Sequence, residues 1–105
     1  MKIKILIPIY NDWQSLSKLL DEINLNLTDL DQEISVIIIN DASNHDRKNE
    51  VIEYDNINSI KVINMKFNQG HARCIASGLK YILEKEDFDY VIPVSYTHLR
   101  AHETV

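Results

Sequence analysis

Residues 2–9 run Lys-Ile-Lys-Ile-Leu-Ile-Pro-Ile, an apolar stretch too short for a helix and rich in β-branched side chains. A run of that kind reads as an interior strand of a parallel sheet, buried on both faces. From Trp13 the period changes. Trp13, Leu16, Leu19, Leu20, Ile23 and Leu27 recur three and four residues apart, which predicts an amphipathic helix, with Asn11 or Asp12 placed to cap it. Polar residues 28–33 end that helix, and residues 34–39, Ile-Ser-Val-Ile-Ile-Ile, read as a second buried strand. Residues 40–44 carry turn chemistry, and Ser43 or Asn44 is placed to cap a short polar helix from Asp46 to Tyr54. Residues 60–64 alternate, as a strand nearer an edge does, and residues 68–70 break the pattern. Ala72, Ile75, Ala76, Leu79 and Ile82 then share one face of another helix. Gly78 within it costs about 1 kcal/mol relative to alanine, a cost that close packing against a sheet would explain. Residues 90–94 form a fourth apolar strand.

The order β-α-β-α-β-α-β predicts an α/β, Rossmann-like fold: a parallel sheet in strand order 3-2-1-4, with right-handed crossovers and helices on both faces. In such sheets ligands bind at the carboxyl ends of the strands, beside the point where strand order reverses. Three places qualify: residues 8–12, residues 40–44, and whatever follows Val94. At 105 residues the chain is one domain or part of one. A net charge of −5 argues against a general nucleic-acid surface. The apolar start breaks at Pro8, too soon for a signal peptide or membrane span, so a cytoplasmic protein is expected. The single cysteine, Cys74, allows neither a disulfide framework nor a thiolate metal cluster, and is expected to be inert. The sequon Asn26-Leu27-Thr28 is read as chance in the absence of an export signal.

Three motifs fall in register on this scaffold: Pro8-Ile9-Tyr10-Asn11 after strand one, Asn40-Asp41-Ala42-Ser43 after strand two, and Asn68-Gln69-Gly70-His71-Ala72-Arg73 opening the last helix. Together they resemble the nucleotide-binding half of a family 2 glycosyltransferase of the GT-A fold, over roughly residues 3 to 94. The resemblance implies that residues 1–94 are a truncated GT-A domain whose partner is a nucleoside diphosphate sugar. The base would lie over the ends of the first two strands. Asp41 matches the acidic residue that accepts a hydrogen bond from the base, worth roughly 1.5–3 kcal/mol for a charged acceptor. Asn40 stands where the family often has a second acid. Pro8 and Tyr10 match the loop around the base, where a fixed φ and an aromatic face shape a flat pocket. Asp12 either lies near the base or sugar or caps the first helix. Arg73 either reaches the diphosphate, aided by the helix N-terminus, or is a solvated surface charge. Asp41→Ala is expected to weaken nucleotide binding and, because Asp41 belongs to a loop, to leave the fold intact. Gly70-His71 is similar to the branch that transfers sugar to polyprenyl phosphates. The implied acceptor is a lipid phosphate or a glycan, with the full-length protein peripheral to the inner face of the membrane.

The family also implies a divalent cation, Mg²⁺ or Mn²⁺, held by an Asp-x-Asp motif just after the fourth strand to offset the diphosphate charge. This chain reads Ser95-Tyr96-Thr97 there, so no metal ligand is assigned. Asp29-Leu30-Asp31 and Asp87-Phe88-Asp89 both precede strands, at the wrong end of the sheet. His98 and His102 have helical ligand spacing but no evident third ligand. Residues 95–105 show no period and resemble translated adapter read-through at a broken gene end. They are expected to be an artefactual, non-family tail on an N-terminal fragment that carries no catalytic base and does not turn over substrate. The alternative is a non-catalytic nucleotide-binding or flavodoxin-like module. Against it, a receiver needs an aspartate at the end of strand three, where Asn64 and Met65 stand, and no G-x-G-x-x-G follows strand one.

Overall fold

The structure, a computed structural model, describes residues 1–26, 32–43 and 54–94. Its elements in chain order are β1 (Lys2–Ile9), α1 (Trp13–Asn26), β2 (Glu33–Asn40), β3 (Ser59–Asn64), α2 (His71–Lys85) and β4 (Tyr90–Pro93). All three pairings are parallel and the sheet runs β3-β2-β1-β4, the order the crossover rule predicts. Most of the polar helix expected at 46–54 lies outside the described residues, as do Leu27, the Asp29-Asp31 pair, and the whole of 95–105 with His98 and His102. Tyr54 itself is in irregular backbone.

The two-residue period of the strands divides the core between two faces. Ile5, Ile7, Ile9, Ile34, Val36 and Ile38 pack with Leu16 and Leu20 of α1, and Trp13 and Ile23 join them. Leu6, Ile37 and Ile39 pack on the other face with Cys74 and Ile82 of α2. Both central strands are therefore apolar at successive positions, as their unbroken sequence runs require. Gly78 shows why α2 tolerates a glycine: a Cβ there would stand 2.4 Å from Leu6 Cδ1 and 3.2 Å from Ile39 Cδ1. The helix backbone thus lies directly on the sheet.

Charged residues tie the amino ends together. Glu86, just past α2, bridges Lys4 of β1 at 3.4 Å and Lys61 of β3 at 2.9 Å. Asp87 accepts from the Lys2 ammonium, and Asp89 from the Lys2 backbone N–H, each at 2.7 Å. The Asp87-Phe88-Asp89 string therefore sits at the amino end of β1, away from the expected ligand crevice. At the opposite end, Leu6 accepts a hydrogen bond from the Val94 N–H at 2.8 Å. Backbone groups of one residue point the same way across a parallel ladder, so Leu6 and Pro8 both face β4. Pro8 offers no N–H there, and among the described residues the last pair of β1 with β4 is Leu6 with Pro93. By the same alternation Pro93 places its missing donor on the open edge, which blunts edge-to-edge pairing.

Candidate functional site

Strand order reverses between β1 and β4, and in open α/β sheets ligands bind at the carboxyl ends of the strands beside such a point. Three loops border this end of the sheet. The first leaves β1 through Tyr10, which is 42% exposed, and Asn11, whose φ of 59° is left-handed. Asn tolerates that conformation better than most residues, and here it turns the chain from strand into helix. Asp12 then caps α1: its carbonyl accepts from the Leu16 N–H at 3.2 Å, and its carboxylate faces the Ser15 N–H at 3.4 Å. Of the two roles expected for Asp12, the cap is the one visible in the geometry.

A second loop leaves β2 through Asn40, Asp41, Ala42 and Ser43. Asn40 is only 6% exposed, and both its side-chain oxygen and its nitrogen are hydrogen-bonded. Its Oδ1 accepts from the Ser43 N–H at 3.2 Å and from the Ser43 hydroxyl. Its Nδ2 donates to Asn64 Oδ1 at 3.0 Å, at the end of β3. Because the Ser43 N–H is a donor, the amide atom facing it must be oxygen, which fixes the orientation of the side chain. Ser43 Oγ in turn accepts from the Asn11 N–H at 2.9 Å, joining the second loop to the first. Ala42, between them, also has a left-handed φ of 57°.

Asp41 is 1% exposed. One carboxylate oxygen accepts from the Gln69 N–H at 2.6 Å and the other from the Gly70 N–H at 2.9 Å. Asn68 donates its side-chain amide to the Asp41 carbonyl at 3.2 Å. Burial raises the carboxyl's pKa, but the two backbone donors, the Cys74 thiol and nearby His71 outweigh it, and the net shift is below the ordinary value. Asp41 therefore anchors the third loop, which passes through Gly70 at φ 87° into α2. The expectation that Asp41→Ala would spare the fold is corrected here. The residue follows a strand in sequence, but it is core in space, and its removal would orphan two backbone donors. Cys74 is fully buried, and burial, with Asp41 beside it, pushes its thiol up to about 12. That accords with an inert thiol.

The remaining expected residues are placed as follows. Pro8 is fully buried near the carboxyl end of β1. Arg73 is exposed on the first turn of α2, and its guanidinium donates to Gln69 Oε1 at 3.3 Å. Tyr10, Pro8 and Asp41 thus share the carboxyl ends of β1 and β2, while Arg73 stands on a different element at the same end. Sequence reasoning placed Ser43 in a motif and as a helix cap, and Asn64 at a strand end, but missed the polar network that joins both through Asn40. The Asn-Asp-x-Ser string carried a signal, since such side chains bond nearby backbone in turns. Among the described residues no group of three His, Cys, Asp or Glu side chains is placed to hold a metal ion. No helix among them is long and apolar enough to cross a membrane.

A family model described as glycosyl transferase family 2 matches residues 4–94. No curated protein and no solved structure matches the chain.

Proposed function

We propose, given that this chain belongs to glycosyl transferase family 2, that residues 1–94 are the donor-binding half of an enzyme that moves a sugar from a nucleoside diphosphate to an acceptor. The acceptor is a glycan hydroxyl or a lipid phosphate, reached from the cytoplasm at the inner face of the membrane. The observation that carries this reading is the convergence of the loops after β1, β2 and β3, which hydrogen bonds from Asn11 to Ser43 and from Gln69 and Gly70 to Asp41 tie together at one end of the sheet.

In this reading the base lies against the half-exposed ring of Tyr10, whose flat face suits a planar heterocycle. Asp41 stays ionised beside it. Its carboxylate holds the Gln69 and Gly70 N–H groups, and so fixes the loop that enters α2 at this end of the sheet. Arg73 and the first turn of α2 supply positive potential for the diphosphate. The family generally uses a divalent cation to offset leaving-group charge. Among the described residues no group of three His, Cys, Asp or Glu side chains is placed to hold one, and Ser95-Tyr96-Thr97 follows β4 in the sequence, so no ligand is assigned to it. Calorimetric titration with UDP, GDP and FMN tests the reading. Binding of a nucleoside diphosphate but not the flavin is expected, and the reverse preference would favour a flavodoxin-like module.

A further inference from the structure

We infer that Ser43 is a positioning residue for the donor pocket: its hydroxyl latches the Tyr10–Asn11 turn to the end of β2 and so sets where the Tyr10 ring stands. The inference rests on the donor-binding reading above. Its geometry is independent of any ligand.

Ser43 has one hydroxyl proton and two lone pairs. Asn40 Oδ1 has no proton to give, so the Ser43 hydroxyl donates to it, and Oγ accepts from the Asn11 N–H at 2.9 Å. Asn40 in turn cannot rotate away. Its oxygen is also held by the Ser43 N–H at 3.2 Å, and its nitrogen is committed to Asn64 at 3.0 Å. A fixed chain of contacts therefore runs from the end of β3, through β2, to the backbone of Asn11. Asn11 is the residue that must hold a left-handed φ of 59° for the chain to turn out of β1. Tyr10 is the residue before it and is 42% exposed, so packing alone does not immobilise its ring. The latch on the adjacent amide restrains the turn from which that ring projects. Ser43 makes no claim on the ligand itself. It fixes the platform that the ligand meets.

The test compares the unaltered 105-residue chain with Ser43→Ala and Ser43→Thr. UDP and GDP serve as titrants, and amide hydrogen exchange is followed at Asn11. Loss of the hydroxyl is expected to weaken nucleoside diphosphate binding about tenfold, the scale of one hydrogen bond. It should also speed Asn11 exchange by about tenfold relative to core amides. Threonine, which keeps the hydroxyl, should restore both, whereas a general loss of packing would not be rescued in this way. Should the alanine variant fail to fold, Ser43→Cys, with its weaker donor and acceptor, carries the same comparison. Unchanged affinity or unchanged Asn11 exchange in the hydroxyl-deficient variant, with the unaltered chain binding normally, would overturn the latch. Absence of binding by the unaltered chain to either nucleotide would instead overturn the donor-pocket reading, and the positioning role with it.

Discussion

Ala42 holds a left-handed φ of 57° with a Cβ that makes this conformation unfavourable. Ala42→Gly is therefore expected to stabilise the chain by about 0.5–1 kcal/mol, the relief of strain exceeding the added freedom of the unfolded chain. A urea midpoint at or below that of the parent would contradict this. Asp41 behaves in the opposite sense. Asp41→Ala should cost about 3 kcal/mol, because two charge-assisted hydrogen bonds vanish and two buried N–H groups lose their acceptor. Its ionisation also has a signed consequence. The folded pKa lies below the ordinary 3.8, so the carboxylate stabilises the fold fully above that value. That contribution is lost as pH falls through the folded value. Urea melts from about pH 6 to pH 3 should show the gap between parent and Asp41→Asn narrowing only at the acid end. A pH-independent gap would contradict the assignment. Asp41 also marks where the sequence stops being informative. An aspartate at a strand end reads as a turn, and only the fold brings the backbone of residues 69 and 70 to it.

At the scale of elements, α2 depends on Gly78 for its seat. Gly78→Ala would add helix propensity worth about 1 kcal/mol, yet its methyl would press on Leu6, which is fully buried between the sheet and the helix. A net loss of about 1 kcal/mol is expected, and a rise in melting temperature would contradict it. Here the sequence was informative, since a glycine at the buried face of an otherwise regular helix implied close approach. The strands were equally legible. Ile-rich runs without a helical period became β1 and β2, and the alternating stretch after them became the edge strand β3. Ends were less so: β2 extends through Glu33 and Asn40, because neighbouring strands supply partners that periodicity does not reveal.

For the molecule as a whole, strand order followed from the alternation of strands and helices together with the crossover rule. The end of the sheet at which a ligand is expected followed from the order. The placement of polar residues around it did not, because the bonds from Asn11 to Ser43 and from Asn40 to Asn64 join positions far apart in the chain. The central claim is that the carboxyl end of this sheet binds a nucleoside diphosphate. It is tested most directly by titrating isotopically labelled chain with UDP and with GDP while following backbone amide resonances. The account predicts that shifts concentrate at residues 9–12, 40–43 and 68–73, with Lys2, Asp87 and Asp89 at the far end unmoved. No saturable shift with either nucleotide, or shifts centred on Lys2, Asp87 and Asp89, would contradict it.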